Sequence, residues 1–580
     1  MKNKTLDRCY KLAKPHLKTI LLVSVISIII DILELTKPYL VKVVIDDFLS
    51  YNISKKDFLS INMIGAIYIC IVVFGNLLDY FAKMKTNIMG EEVLYTLRNK
   101  LYKYTQDASI VFHDKTPSGK LFARITNDVD DISAFFKDVI TTIFKDVISI
   151  ISIIAIMIYF SFKLSLLALI VIPFVIITSI VLTKILNKIY DVSKVVRTNL
   201  NTFLAEAIYG AKIIKIFNIQ EEKQNECESY TQEYVEKRLP AAFYEGIFPG
   251  IMTLFENLAI TIIIVATINH FWGISIEVGA IYVFVSYIKS LFEPINRIID
   301  SIETVQEAIV SINKIYDILD EKEYLEDFES GIELENIKGK LEFKNVWFAY
   351  KDEEWVLKDI SFTINPGETI ALVGKTGSGK TTITNLVNRF YEVQKGEILL
   401  DGVNIKDINK RFLRRHIGTV LQDPFIFARS IKDNIKLNKK ISDEEIEEAI
   451  KLSSSKEFIN SLPNGINEIA KERGESFSAG QKQLLAFARI FAHNPDVFIL
   501  DEATANIDTY TENLIQKSID KLSKEKTAIF IAHRLSTIVN VDKILVLNNG
   551  EIIEEGNHNQ LLEKNGYYAK LYNSYYESLG

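Results

Sequence analysis

Long stretches without Asp, Glu, Lys or Arg fill the first half of the chain and restrict it to a few architectures. The longest are residues 61–78, 147–162, 164–183 and 257–276, and shorter ones cover 19–30 and 278–288. A helix needs about 20 mostly apolar residues to cross a bilayer. Only helices and closed barrels satisfy the backbone in lipid, and these runs are too long for barrel strands. We therefore predict six transmembrane helices, at about 17–46, 59–82, 137–162, 163–186, 246–270 and 276–300.

The links between these predicted helices alternate in length. Links near 47–60, 161–164 and 269–278 are short, whereas those at about 82–136 and 187–244 are long and patterned like helices. The long links and their ends carry many basic residues: Lys83, Lys85, Arg98, Lys100, Lys103, Lys184, Lys188 and Arg197. Because Lys and Arg accumulate on the cytoplasmic side, we predict a multi-pass protein of the cytoplasmic membrane with both termini in the cytoplasm.

The character of the chain changes near residue 318. Of the 580 residues, 48% are hydrophobic although 24% are charged, which fits two unlike regions better than one mixed domain. An acidic stretch at 320–335 precedes short β-rich runs at 340–348, 369–373, 497–500, 527–532 and 543–547, with helical patterns between them. We predict a transmembrane domain at 1–318, a linker at 319–338 and an α/β domain at 339–580. The net charge of −7 gives no sign of a nucleic-acid partner.

The first functional motif in the second half of the chain is a phosphate-binding loop. Residues 374–381 read GKTGSGKT and match GxxxxGK[ST] in full, after a predicted strand and before a predicted helix at 381–390. Backbone N–H groups of such a loop and the following helix N-terminus attract phosphates. We expect Lys380 to reach the β- and γ-phosphates of ATP and the Thr381 hydroxyl to bind Mg²⁺. The predicted ATP-binding residues of this segment are Gly374, Lys375, Thr376, Gly377, Ser378, Gly379, Lys380, Thr381 and Thr382.

Two carboxylates follow the apolar run at 497–500. A continuous apolar run is typical of a parallel strand that is buried on both faces, and ligands bind at the carboxyl ends of such strands. We expect Asp501 to contact Mg²⁺ through water and Glu502 to polarise the water that attacks the γ-phosphate.

Taken with these motifs, the segment from about 340 to 575 resembles the nucleotide-binding domain of ABC transporters. Residues 476–481, SFSAGQ, resemble the ABC signature, and residues 505–508 resemble the D-loop. The resemblance implies three further roles: Gln422 as the Q-loop glutamine that touches Mg²⁺ and the membrane domain, His533 as the switch histidine at the γ-phosphate, and Tyr350 as the aromatic that stacks on adenine.

The resemblance extends through the membrane region, where the order of six spans and one ATPase is similar to bacterial half-exporters of the MsbA and multidrug type. It implies the exporter fold, with long intracellular helices. Residues 112–128 and 206–217 resemble its intracellular loops, which carry coupling helices that dock on the ATPase domains. It also implies that a second chain is required, because in this family signature and D-loop residues cap the ATP of the opposite chain. Those residues are Ser478, Ala479, Gly480, Gln481 and Asp508.

Two positions depart from the family pattern. Ala479 stands where the signature usually has glycine, and Ala505 stands where the D-loop usually has serine. A β-carbon at position 479 obstructs the close approach of backbone to phosphate. With its catalytic residues intact, the chain resembles the subunit of heterodimeric multidrug exporters that keeps the catalytic glutamate. The alternative is a homodimer in which the alanine is tolerated.

Acidic residues in the predicted spans are the only sequence indication of what is transported. Asp31 and Glu34 share one face of the first span, and Glu256 lies near the start of the fifth. Ionisable groups in a membrane face water or one another, and an acidic cavity would favour cationic amphipathic drugs. Pairing with Lys37 or Lys42 is the other interpretation.

The resemblance implies ATP-driven export of hydrophobic or amphipathic compounds. A lipid flippase of the MsbA type shares every motif, and an ATP-gated channel or sensor also stays open.

Overall fold

The structure, a computed structural model, describes residues 2–49, 55–270, 277–351, 353–501, 508–523, 526–531 and 538–577. The chain forms two compact units. The helical unit comprises Met1–Gln106 and Pro117–Lys322, and the sheet unit comprises Asp107–Thr116 and Glu323–Gly580. Residues 107–116, which the sequence assigns to the N-terminal domain, therefore pack with the C-terminal part of the chain.

Long helices make up the first part of the chain. They are α1 (Lys2–Ala13), α2 (Leu17–Val43), α3 (Lys55–Asp107), α4 (Ile110–Lys115), α5 (Ser118–Ala123), α6 (Val129–Ala134), α7 (Ile140–Phe160), α8 (Phe162–Leu169), α9 (Ile172–Tyr209), α10 (Ala211–Phe217), α11 (Gln220–Ile268) and α12 (Val278–Leu319). Short π-helical turns lie at Val44–Leu49, Arg124–Asp128 and Phe135–Val139.

Within the described residues, six helical stretches are long and apolar enough to cross a membrane: Lys4–Asp47, Ser60–Asp107, Ser118–Phe160, Phe162–Tyr209, Gln220–Ile268 and Val278–Ile298. The prediction of six spans is confirmed. At 1.5 Å per residue, a helix as long as α3 reaches about 80 Å, far more than the hydrocarbon core. Several helices therefore extend well beyond the membrane.

Apolar side chains from α2, α7, α8, α9, α11 and α12 form the core of the helical unit, with Ile153, Val175, Ile263 and Phe284 almost fully buried. Many large apolar side chains of the same helices are exposed, among them Ile29 and Ile177. An outer surface of this kind suits lipid contact.

One ion pair links two helices of this core, and it joins a fully buried carboxylate to a guanidinium whose side chain is 38% exposed. The Asp146 carboxylate on α7 is fully buried and accepts hydrogen bonds from Arg297 on α12, at 2.6 Å from Nη2 and 3.1 Å from Nε. The pair joins two spans that are far apart in sequence.

The described strands of the sheet unit form two sheets. They are β1 (Leu341–Ala349), β2 (Trp355–Ile364), β3 (Thr369–Val373), β4 (Lys395–Leu400), β5 (Val403–Asn404), β6 (Ile417–Val420), β7 (Val497–Asp501), β8 (Thr527–Ile531), β9 (Lys543–Asn548) and β10 (Glu551–Gly556). The antiparallel sheet has the order β2-β1-β4-β5. The larger sheet has the order β10-β9-β3-β8-β7-β6, parallel except for β10.

The helices of this unit lie between and after the strands. They are α13 (Lys380–Val387), α14 (Lys410–His416), α15 (Ile431–Lys436), α16 (Asp443–Leu452), α17 (Lys456–Asn460), α18 (Ala479–His493), α19 (Thr509–Leu522), α20 (His558–Glu563) and α21 (Tyr567–Glu577). The predicted α/β class is confirmed.

The prediction of a helix at 381–390 is wrong at its C-terminal end, because the helix ends earlier. The Asn388 side chain donates to the Thr384 carbonyl at 2.9 Å and to the Thr419 hydroxyl at 3.1 Å, and Arg389 has a φ of 51°. A left-handed residue cannot continue a right-handed helix. Helix α13 therefore ends at Val387.

Residues 107–116 are attached to the sheet unit through backbone hydrogen bonds. The Ser109 N–H donates to the Tyr324 carbonyl at 2.7 Å, and the Glu326 N–H donates to the Asp107 carbonyl at 2.9 Å. Glu326 is itself buried against Arg414 and Lys410. Part of the acidic stretch after residue 318 is therefore held by hydrogen bonds and ion pairs within the sheet unit.

Candidate nucleotide site

The phosphate-binding loop joins the buried strand β3 to helix α13. A β-carbon on Gly374 would lie 2.2 Å from the Leu547 carbonyl oxygen. Gly379 has a φ of 103°, and a β-carbon there would lie 2.5 Å from a Leu357 methyl. Both glycines are therefore required by the path of the backbone, and not only by what the loop binds.

The Lys380 side chain lies within this loop. It is only 5% exposed, and its ammonium donates to the carbonyls of Gly374 and Lys375 at 2.7 and 3.0 Å. The Ser378 hydroxyl is buried and has no hydrogen-bond partner within the described part of the chain. Because an unsatisfied buried hydroxyl is costly, a loop of this composition fits the oxygens of a phosphate group.

The parallel sheet brings further polar residues to the edge where this loop begins. Asp501 ends β7 and Gln422 follows β6, and β6, β7, β8 and β3 are parallel neighbours in that order. Their carboxyl ends share one edge, as is usual for ligand sites in such sheets. In the described residues, no group of three or more His, Cys, Asp or Glu side chains is arranged to hold a metal. Mg²⁺ that is bound with a nucleotide is usually held by one or two carboxylates together with the phosphate oxygens.

Two residues that the sequence did not single out hold the segment around Gln422. The Gln483 side-chain amide donates to the carbonyls of Leu421 and Gln422 at 3.2 and 2.8 Å. The Arg489 guanidinium donates to the Phe425 carbonyl at 2.7 Å, and burial lowers the pKa of Arg489 to about 10. Both belong to α18, so side chains of the signature helix bind the backbone of the Q-loop segment. The sequence signal that could have identified Gln483 and Arg489 is that they are polar residues inside the apolar run of α18.

The signature motif forms the N-terminus of α18. The Ser478 hydroxyl accepts from the Gln481 N–H at 3.2 Å, and the Gln481 side chain accepts from the Ser478 N–H at 2.9 Å, which makes a capping box. Ala479 is the first helical residue and is exposed. Alanine has a high helix propensity, so its β-carbon does not destabilise the start of α18. If the β-carbon has an unfavourable effect, it is to obstruct a ligand that approaches the backbone there.

The D-loop and catalytic predictions lie only partly in the described chain. Asp508 caps α19 by accepting from the Thr511 N–H at 2.9 Å, and hydrogen bonds from Thr511 lower the pKa of its carboxyl. Glu502, Ala505 and His533 lie outside the described residues.

Tyr350 lies beside the first turns of α13. Its hydroxyl is 3.2 Å from the Thr382 hydroxyl, and its side chain is 48% exposed. Its ring makes edge contacts with Phe348 and Tyr391, at centroid distances of 4.9 and 5.0 Å. An aromatic face next to the phosphate loop is what adenine stacking requires.

Comparison with known proteins agrees with this geometry. The family "ABC transporter transmembrane region" matches residues 20–295, and the family "ABC transporter" matches residues 357–505. The putative multidrug export ATP-binding/permease protein YgaD of Bacillus subtilis (strain 168) is 33% identical over 98% of each chain. The ATP-dependent lipid A-core flippase of Syntrophus aciditrophicus (strain SB) is 33% identical over 97% of this chain and 93% of its own. This chain is an ABC transporter.

The fold of a solved bacterial Atm1-family ABC exporter with ATP bound is also similar. The TM-score is 0.80 at 24% identity, over 96% of this chain and 98% of that one. The ABC transporter described here is thus a multi-pass membrane protein of the exporter fold, which binds ATP and couples its hydrolysis to transport. ABC exporters work as dimers, so the chain is one half of the working unit.

The acidic residues in the spans of this ABC transporter differ in their surroundings. Asp31 on α2 is 6% exposed, and its Oδ2 atom is buried without a hydrogen-bond partner in the described residues. Glu34 is exposed and forms an ion pair with Lys37 at 2.6 Å. Glu256 on α11 is half-buried. Lys42 pairs with Asp46 at 2.9 Å and with Glu277 at 3.1 Å, and not with any of the three acidic residues of the predicted cavity that the structure describes.

Proposed function

We propose that this chain is the catalytic half of a heterodimeric ABC exporter of the multidrug type, which moves hydrophobic or amphipathic compounds out across the cytoplasmic membrane. Both termini and the sheet unit then lie in the cytoplasm. One observation carries the proposal: an intact phosphate loop and a signature that departs at Ala479 occur in the same chain. Neither feature alone would distinguish this subunit from its partner.

The residues of the nucleotide site have separate tasks in this proposal. Lys380 and the loop amides hold the β- and γ-phosphates, and Tyr350 holds adenine. Thr381, Gln422 and Asp501, the last through water, would hold Mg²⁺, which neutralises phosphate charge when bound. Glu502 polarises the attacking water and His533 contacts the γ-phosphate, so that the negative charge developing during hydrolysis is stabilised.

A second chain completes the ATP sites. Signature and D-loop residues of each chain close over the nucleotide of the other, and ATP drives closure because it binds the closed pair more tightly. Helix α10 supports this arrangement, since none of its residues is buried. Ile213, Ile216 and Phe217 are 54%, 64% and 68% exposed, an apolar surface that suits docking on an ATPase domain. Closure would then turn the spans from inward-open to outward-open.

The proposal of a heterodimer rests on the β-carbon of Ala479, which weakens the ATP site that this signature covers. Ala479 has an exposed side chain at the start of α18, where backbone amides would approach the partner's γ-phosphate. The site that this signature covers is therefore weakened. The site at Glu502 works with the signature of the partner, and we expect that partner to have an intact signature and a degenerate catalytic glutamate.

The test is the mass and the ATPase rate of this chain purified alone, beside its Ala479→Gly variant. We expect a monomer or a nearly idle dimer, with activity restored by co-expression of a paralogue and abolished again by Glu502→Gln in this chain. Faster hydrolysis by Ala479→Gly alone would place the defect at the β-carbon. A vigorous homodimer whose rate Ala479→Gly leaves unchanged would refute the heterodimer and leave a homodimeric exporter.

A lipid flippase is the second candidate, because one relative with 33% identity is named a lipid A-core flippase. ATPase stimulation separates the two functions. Stimulation by lipids and none by amphipathic drugs would favour the flippase, and the reverse would favour multidrug export.

A further inference from the structure

Tyr391 connects the candidate adenine site to the segment 107–116. It lies in the loop between α13 and β4, and its hydroxyl donates a hydrogen bond to the Asp114 carboxylate. Its ring makes edge contacts with Tyr350 at 5.0 Å and with Phe348 at 5.6 Å between centroids. The three rings form one cluster, which we call the aromatic cluster: Phe348, Tyr350 and Tyr391.

Each end of this cluster meets a different part of the chain. At one end, the Tyr350 hydroxyl lies 3.2 Å from the Thr382 hydroxyl on the first turn after the phosphate loop. At the other end, Asp114 lies on α4, which follows α3 and precedes α5 along the chain. Both flanking helices contain candidate membrane spans or continue into one.

Helix α4 contacts the rest of the sheet unit through named side chains, on which a change at Tyr391 can act. Phe112 is 2% exposed and packs against Tyr324 at 5.9 Å between ring centroids. The Lys115 ammonium lies 3.1 Å from the Tyr324 hydroxyl. Asp114 is exposed, and Tyr391 is the partner that ties it to the neighbourhood of the nucleotide site.

The Tyr391 hydroxyl is well suited to remain a hydrogen-bond donor to the Asp114 carboxylate. Burial and the neighbouring Asp114 carboxylate raise the pKa of Tyr391, so its phenol stays protonated at neutral pH. A hydroxyl that donates to a carboxylate makes a charge-assisted bond, which is stronger and more directional than a bond between neutral groups. Edge-to-face rings have a preferred geometry as well. A base stacked on Tyr350 would restrict that ring and, through it, the ring and hydroxyl of Tyr391.

We propose that Tyr391 is a positioning residue that transmits adenine occupancy at Tyr350 to helix α4 through Asp114. The inference rests on the proposed role of Tyr350 and deepens the proposed function, since it names the side chains through which the nucleotide acts on a segment between two spans. Coupling between two sites is reciprocal, so the docking of α4 also affects the affinity for ATP.

The test is hydrogen–deuterium exchange of residues 107–116 in the full chain with the partner it requires, in the Glu502→Gln background that retains ATP. In the parent protein we expect ATP to slow this exchange and tripolyphosphate, which has no base, to leave it unchanged. Tyr391→Phe keeps the ring and removes the hydroxyl, and should reduce the ATP-dependent protection by about fivefold, the lower end of typical couplings. Asp114→Asn should act similarly, and the double variant should add nothing further.

Tyr510→Phe is the matched control, because the Tyr510 hydroxyl also donates to a carboxylate of the same unit, that of Glu457, at 2.9 Å. It should keep the full response. The proposal is overturned if Tyr391→Phe retains the parent's protection, if the two single effects add, or if tripolyphosphate protects as well as ATP. This readout does not depend on transport, so failure of the exporter function would appear separately, as ATP-dependent protection without movement of any compound.

Discussion

Two buried charges of this ABC transporter, one in each unit, are placed by different means. In the sheet unit, the Lys380 ammonium is enclosed by carbonyls five and six residues away in its own loop. In the helical unit, the Asp146 carboxylate meets Arg297 from another span, 151 residues away. The first arrangement is local and can be recognised as a motif. The second depends on helix packing, so a sequence shows that a charge exists without showing its partner.

The largest expected effect tests the local arrangement. Lys380→Ala should lower ATP hydrolysis by about 1,000-fold, because it removes a preorganised positive charge at the phosphates. Lys375→Ala is the matched change: this side chain is exposed, and the loop uses its backbone. We expect it to cost less than about threefold, as a neutral loop amide still faces the phosphate. ATPase rates of the variants co-expressed with the partner chain, together with their melting temperatures, check this. Equal losses of ATPase activity would show that motif position does not distinguish the two lysines.

The next effect tests charge placement by packing. Arg297→Met leaves Asp146 buried without its partner and should destabilise the helical unit by about 3–5 kcal/mol. Lys37→Met removes the partner of exposed Glu34 and should cost less than about 1 kcal/mol. Thermal unfolding in detergent measures both. If the two variants melt alike, the burial of Asp146 does not determine the strength of its pair.

The same distinction explains how much of the molecule could be predicted. The runs that became β3 and β7, the six spans and the phosphate loop all follow from neighbouring residues. The end of α13 could not be predicted, because an arginine, Arg389, takes up the left-handed conformation there and Asn388 contacts Thr419, 31 residues away. The role of Gln483 was equally hidden, because its partners are carbonyls about 60 residues away. Asp31 and Glu34 share a helix face in sequence, yet one is buried and the other is exposed.

A third prediction concerns Glu326, a packed charge within the sheet unit. Burial raises the pKa of this carboxyl, but the hydrogen bond and charge of Arg414, with the charge of Lys410, outweigh it and leave the pKa below its ordinary value of 4.5. Glu326→Gln should destabilise the unit by about 2 kcal/mol at neutral pH, the range for hydrogen bonds to charged groups.

The sign of the pH dependence follows from the lowered pKa. The unfolded chain takes up the proton near pH 4.5 and the folded chain only below that, so the stabilisation is complete above about pH 4.5 and is lost as the pH falls through the folded pKa. The melting temperatures of the parent and Glu326→Gln should therefore converge in acid. A constant difference down to pH 3 would contradict this account.

The smallest effect separates two carboxylates on one span. Asp31 is buried, and one of its oxygens has no hydrogen-bond partner in the part of the chain that the structure describes, whereas Glu34 is paired with Lys37. We therefore expect Asp31 rather than Glu34 to favour a cationic compound. Asp31→Asn should reduce efflux of a cationic dye by about tenfold, equivalent to one charge contact of about 1.4 kcal/mol, and spare a neutral dye. Glu34→Gln should change neither dye by more than about twofold. A purely structural Asp31 gives the opposite pattern, because replacing an unpaired buried charge with a neutral amide would raise the melting temperature and leave both dyes unaffected.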